Sequence, residues 1–371
     1  MNLAQRRTLW AAVLTLAFSI AALLAGCNTT TGSFVSKGFA GSLPNPPAPT
    51  QVNDYTGTAT PGDIWTVHID HTGNTFSAQD KTAGTPTVNG TFVNAGGFLK
   101  FSVNAVPSGY ALEILSRAVL ARPGDDTNDL IALIQTPTGT CLNISGTVGF
   151  EFVTVPSSSW AVGSDVAFGS VQASTNGNIW NFSSLTQATL GGTPKDVGAA
   201  LSPGNCSNSV ITIPPSPTIQ NTVTVGVGPS GIFAADEGPG GQGEAGVIEP
   251  SGPLNTGSVV AGNYLGFLYE PGAAARSQMA GFGGGAGTSM TGGTFPNDDP
   301  TQAHATNMTI NLGTQDSVSN GLYKAASVTI GANPSFPAVA VVGNPENKFV
   351  IFLLAQDTVN NHPMAIYLFQ Q

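Results

Sequence analysis

Apolar and polar residues alternate along most of this chain. Ile64-Trp65-Thr66-Val67-His68-Ile69-Asp70 reads as a strand, His71-Thr72-Gly73-Asn74 as a turn, and Thr75-Phe76-Ser77-Ala78 as the returning strand. Residues 87–93 and 97–103 form the next pair, joined at Asn94-Ala95-Gly96. Successive side chains of a strand point to opposite faces, so a period of two marks half-buried strands. The same pattern predicts strands at 110–121, 129–135, 147–155, 165–173, 178–184, 223–227 and 246–249. Two strongly apolar strands end the chain, 348–355 and 364–369, joined across Asn360-Asn361-His362-Pro363. Helical periodicity is weak and confined to 111–121, which reads better as strand, and 273–280, which is left open. Turn signals every 8–12 residues or so are those of a sandwich or barrel. The expected fold is all-β: antiparallel β-sandwich or β-barrel units. Pro-Pro-Ser-Pro-Thr-Ile-Gln-Asn at 214–221 interrupts the alternation and separates two expected β domains, 54–213 and 222–371. A faint echo suggests duplicated units: Gly149-Phe150-Glu151-Phe152 before Pro156 is similar to Gly266-Phe267-Leu268-Tyr269 before Pro271, and 131–135 to 351–356.

One apolar stretch breaks the pattern. Residues 9–24 carry no charge, follow Arg6 and Arg7, and end in small residues, the layout of a secretory signal. A spanning helix needs about 20 apolar residues. Leu24-Ala25-Gly26-Cys27 resembles the lipobox of bacterial lipoprotein precursors. The resemblance implies a signal peptide over 1–26, a diacylglyceryl lipid on Cys27, and a new N-terminus acylated by a chain such as palmitate. Two or more chains suffice for a stable anchor at about 0.8 kcal/mol per buried methylene. Asn28 in place of Asp implies sorting to the outer membrane if the host is Gram-negative. The residues around Arg6-Arg7 fit a twin-arginine signal poorly, which favours the general secretory route. Residues 27–53, rich in Gly, Ser, Thr and Pro, read as a flexible tether between the lipid and the folded part.

Composition sharpens this picture. Charged residues make up 9% of the 371, far below the usual share of about a quarter, while Gly (47) and Pro (26) are abundant. Disordered chains are highly charged, so this is the composition of an exported β protein with many turns. The formal charge is −10, and losing Arg6 and Arg7 makes the mature chain more acidic. Such a balance argues against nucleic acid and against a polybasic grip on anionic lipid. With Cys27 modified, Cys141 and Cys206 remain as an even pair in an oxidising compartment and are expected to form a disulfide, two buried thiols being the alternative.

Candidate chemistry is sparse, and neither a catalytic residue nor a metal ligand is assigned. His68, Asp70 and His71 are clustered, but strand geometry turns His71 away from the other two, leaving two ligands at best. Asp125, Asp126, Asn128 and Asp129 are weak calcium candidates, in a loop without EF-hand spacing; Asn297-Asp298-Asp299 is a lesser one. The glycine-rich loops lack Gly-Lys-Ser/Thr, and Gly228-Pro229-Ser230-Gly231 is not a nucleophile elbow. Glu113, Glu151, Asp165, Glu249 and Glu270 lie on or near predicted strands, from which a glycosidase would need two facing carboxylates. Trp65, Trp160, Trp180, Tyr264 and Tyr269 could stack sugars but suit a core better. The sequence thus supports a lipid-anchored envelope protein with a binding, adhesion or structural role. Its candidate partners are a glycan, a small apolar ligand or an envelope protein. A polysaccharide hydrolase is the alternative, and a barrel-type carrier of an apolar ligand is a further one.

Overall fold

The computed structural model describes residues 51–371 apart from 60–62, 115–116, 124–129, 136–140, 156–166, 191–193, 200, 208–209, 217–218, 220, 237–242, 271–276 and 360–361. The expected signal peptide, Cys27, nearly all of the expected tether, Asp165, Trp160, and Asp125, Asp126, Asn128 and Asp129 lie outside the described residues.

Among the described residues the chain forms three antiparallel rings in succession. The first is the closed barrel of β1 (Val52–Ala59), β2 (Ile64–Asp70), β3 (Thr75–Asp80), β4 (Val88–Ala95), β5 (Phe98–Val103), β6 (Val106–Ile114), β7 (Ala118–Pro123) and β8 (Ile131–Gln135). Its seam pairs β1 with β8, from Tyr55↔Gln135 to Ala59↔Ile131. The second sheet contains β9 (Thr147–Val155), β10 (Ala167–Asn176), β11 (Ile179–Thr189), β12 (Pro194–Ala199), β13 (Gly204–Ser207), β14 (Val210–Ile213), β15 (Val223–Val227), β16 (Ile232–Asp236) and β17 (Gly243–Ile248). Its order is β10-β9-β17-β16-β15-β14-β13-β11-β12, and β10 also pairs with β11, so eight strands close a ring with β12 attached to its side. A short helix, α1 (Thr256–Val260), follows, its first turn capped by Asn255 Oδ1 accepting from Ser258 N–H. The third ring is the closed barrel of β18 (Tyr264–Tyr269), β19 (Ser277–Ala286), β20 (Ser289–Thr294), β21 (Thr306–Asn311), β22 (Leu322–Ile330), β23 (Phe336–Gly343), β24 (Val350–Asp357) and β25 (His362–Gln370). Among the described residues, closure leaves only the outer edge of β12 unpaired.

Among the described residues, four apolar cores follow from this arrangement. Each ring fills its own interior: Ile69, Phe76, Phe92 and Phe101 in the first, Phe150, Phe152, Trp180 and Phe233 in the second, Phe282, Met290, Leu353 and Ile366 in the third. The fourth is made from outward faces of all three rings, including Phe98 and Leu120, Val153 and Val247, and Phe267, Phe352 and Tyr367. Phe98 and Phe267 meet edge to face with centroids 5.5 Å apart. Strands bordering this shared core are buried on both sides and lose the alternation, as in Ile131–Gln135 and Ile232–Asp236, where every residue is buried. This is why the last two strands of the sequence are so apolar.

The all-β expectation holds, in its barrel version. The single boundary near 215 does not describe it. β14 and β15 pair from Val210↔Gly226 to Ile213↔Val223, so 214–221 is a connection within the second ring. Proline cannot donate to a ladder and marks a loop, but loops inside and between rings look alike in sequence. The first echoed pair falls on β9 and β18, the opening strands of the second and third rings, whereas 131–135 and 351–356 fall on β8 and β24, the last strand of one ring and the next-to-last of another. Residues 111–114 and 118–121 are strand as expected, and within the open segment the described residues 277–280 are strand, the start of Ser277–Ala286. Cys141 and Cys206 are bonded (S–S 2.06 Å), tying the segment before β9 to β13. Closing a loop with a sequence separation of 65 stabilises the fold by about 4 kcal/mol in the chain-entropy account.

Candidate functional site

The second ring holds a half-enclosed cavity of about 50 Å³. Alternation builds its wall: Phe150 and Phe152 project from β9, Val223, Val225 and Val227 from β15, and Phe233 and Ala235 from β16. Phe233 packs edge to face against Phe150 and Phe152, at 5.4 and 6.2 Å between centroids. Gln187 on β11 and Glu244 on β17 are the polar residues of the wall, Gln187 Nε2 donating to Glu244 Oε1 at 3.5 Å. Such a site suits a slender apolar guest with a polar end placed near the amide and carboxylate. The volume admits only a few water-sized groups, so a longer guest requires the aromatic wall to shift.

The other residues singled out from the sequence scatter. His68 Nδ1 lies 2.8 Å from Asp54 on an exposed face, whereas His71 Nε2 reaches Glu113 Oε2 at 2.6 Å. Glu113 also accepts from the Tyr55 hydroxyl, whose pKa burial and the Glu113 charge raise far above the usual value, so it stays a donor. Trp180, Tyr264 and Tyr269 are buried in three separate cores, so they form no sugar-stacking face. Gly228-Pro229-Ser230-Gly231 is a tight connection between β15 and β16 in which Gly228 N–H donates to Ile232 C=O. Much of the glycine-rich stretch near 281–293 is the hairpin of β19 and β20. Asp298 pairs with buried Arg122 at 2.6 Å.

Glu151 sits on the outward face of β9 and is 1% exposed. Neither carboxyl oxygen makes a well-formed hydrogen bond among the described residues. Burial first, and the Glu249 charge second, hold its pKa well above the usual carboxylate value, against a smaller opposing pull from Ser319. The folded chain therefore keeps a proton that the unfolded chain releases above the ordinary carboxylate pKa. Stability contributed at this position falls as pH rises through that window. Glu151→Gln, neutral at every pH, is expected to be at least as stable as the parent at pH 8 and to flatten this part of the pH dependence. Urea midpoints at pH 5 and pH 8 decide it; a variant less stable than the parent at pH 8 would refute the neutral carboxyl.

Sequence reasoning did not single out Gln187, Arg117, Arg122 or Glu346. The one available signal for the arginines was rarity: in a chain with only 11 Lys and Arg, each buried cation needs a partner.

Fold and cavity together define an all-β protein of successive up-and-down barrels with an apolar pocket in the middle one. No family profile and no curated protein matches the sequence. Among solved structures, a double and a single mutant of the vaccine antigen transferrin binding protein B from Haemophilus parasuis align at TM-scores of 0.24 and 0.25, each with 7% identity. They cover 89% and 88% of this chain and 77% and 76% of theirs. Intact Ap-TbpB, with N and C lobes, aligns at 0.24 and 7% identity over 88% of this chain and 78% of its own. Alignments this loose carry neither fold nor function across.

Proposed function

We propose that this is an exported, lipid-anchored barrel protein whose second barrel binds a small apolar ligand without chemical conversion. The anchor rests on Leu24-Ala25-Gly26-Cys27, and Asn28 directs it to the outer membrane in a Gram-negative host. The binding role rests on one observation, the cavity walled by Phe150, Phe152 and Phe233 with Gln187 and Glu244 as its polar residues. The acidic balance leaves the lipid as the membrane attachment, with no basic surface needed. A medium-chain fatty acid entering in its protonated form has the right chemistry: a thin alkyl chain and one polar end whose hydroxyl donates to Glu244.

One experiment addresses both halves. The parent and Cys27→Ala are produced with labelled palmitate, and the unlabelled, soluble variant is then titrated with dodecanoate and with oligosaccharides. Label in the parent alone supports the anchor; label surviving in Cys27→Ala refutes it. Dodecanoate should raise the thermal midpoint by mass action. Val225→Phe, which fills the cavity, should weaken that binding by about tenfold or more, since a pocket contact of this kind is worth about 1–3 kcal/mol. Binding unchanged by Val225→Phe, or a shift with glycans alone, would remove the cavity from the function.

A further inference from the structure

The third barrel closes where β18 meets β25, from Tyr264↔Gln370 to Tyr269↔Ala365. At one rim of this seam, three neighbouring strands finish their inward-facing rows with ionisable residues. The inward row of β24 runs Ile351, Leu353, Ala355 and ends at Asp357. That of β25 runs back through Leu368, Ile366 and Met364 to His362, which pairs directly with Asp357. That of β18 passes Tyr264 and Leu268 and reaches Glu270, one residue beyond the strand. All three therefore sit on the same apolar layer, because strand side chains repeat every second residue.

One possible ligand atom from each of Glu270, Asp357 and His362 lies within 4.8 Å of the other two. Asp357 is 2% exposed, and its Oδ1 is oriented by the Val359 N–H at 2.8 Å. His362 Nδ1 is buried with no hydrogen-bond partner among the described residues. Two carboxylates in close repulsion beside an orphaned imidazole nitrogen form an unfavourable group unless a positive centre completes it.

We infer that Glu270, Asp357 and His362 bind a divalent first-row transition cation that clasps the closing seam of the third barrel. Imidazole nitrogen with two carboxylate oxygens suits an ion such as zinc or manganese, whereas calcium takes about 6–8 oxygens. Any proton on Glu270 leaves to solvent on binding, because only the carboxylate ligates. The site lies in a different barrel from the apolar cavity and stands whether or not that cavity takes a ligand.

The test is calorimetric titration of chelator-treated full-length protein with zinc chloride alone, then with manganese and calcium chlorides, alongside thermal unfolding. The expected result is one zinc per chain, a raised midpoint and weaker or no calcium binding. His362→Ala, Asp357→Asn and Glu270→Gln should each weaken zinc by about 100-fold, at or beyond what loss of an outer partner costs a metal site. His68→Ala, on an exposed face, should leave binding unchanged. If the buried Asp357 variant fails to fold, Glu270→Gln at the rim carries the test. Absence of zinc binding, or binding equal in all three variants, would overturn the site.

Discussion

Arg117→Ala is expected to lower the unfolding free energy by about 3–5 kcal/mol, the cost of breaking a buried ion pair from one side. The side chain of Arg117 lies between β6 and β7 and is 2% exposed. Its Nε donates to Glu346 Oε1 of the third barrel at 2.6 Å, and its Nη1 to Gln135 Oε1 of the first at 2.8 Å. Gln135 in turn donates to Asn53 Oδ1, and Asn53 to Glu113, which also holds Tyr55 and His71. The guanidinium thus links the polar interior of one barrel to a turn of another. That turn, Pro345–Asn347, holds Glu346 and Asn347 at φ of 51° and 65°, a left-handed geometry that costs about 1–3 kcal/mol per residue and persists only where contacts impose it. Asn297 and Asp298, both at φ 53°, repeat the device for Arg122. Urea unfolding of the parent, Arg117→Ala, Glu346→Gln and the double variant measures the coupling. A loss below about 1 kcal/mol would place Arg117 with ordinary surface pairs.

Gly266→Ala is expected to cost about 3 kcal/mol or more, at or above the upper end for overpacking. A Cβ at Gly266 would stand 1.8 Å from the carbonyl oxygen of Tyr367 on the facing seam strand. The obstacle is backbone, so no rotamer change relieves it, and β18 must draw away from β25. The other two rings have the same arrangement: a Cβ on Gly57 of β1 would meet Ala132 O at 1.8 Å, and one on Gly246 of β17 would meet Glu151 O at 2.2 Å. Gly252→Ala is the control, since no described residue lies within 4 Å of its Cβ, and it should change stability by less than about 0.5 kcal/mol. Urea midpoints give the difference. Amide exchange at Leu368 tells whether the seam opens: unchanged protection there in a folded Gly266→Ala would contradict this account.

Local features of the fold were legible in the sequence. Residues 64–70, 147–155 and 223–227 alternate or carry β-formers, and each is a strand with those bounds. Cys141 and Cys206 could be paired by counting. Closure could not be read, because it depends on which strand edges meet, and the residues that permit it are glycines without a side-chain signature. The shared core was equally hidden: Leu112 and Leu120 read as the apolar positions of an isolated barrel, yet they face outward into the other two. Glu270 was visible as one carboxylate among several and His362 as one histidine of four. Only the seam brings them together with Asp357. The cavity follows the same logic, since Phe150 and Phe233 belong to an ordinary strand pattern until the ring bends them toward each other.

The shared core also bears on kinetics. Each ring is a meander whose pairings are nearly all between consecutive strands, plus one seam from first strand to last. Short loop closures are fast, so a chain emerging N-terminus first can complete each ring in turn. Phe98, however, lacks its partner Phe267 until β18 arrives from the third ring, and the shared core is complete only with Phe352 and Tyr367 of β24 and β25. The early rings must therefore wait with apolar outer walls facing water, and the interval before the third ring docks is when the protein is most exposed to aggregation and to chaperone capture.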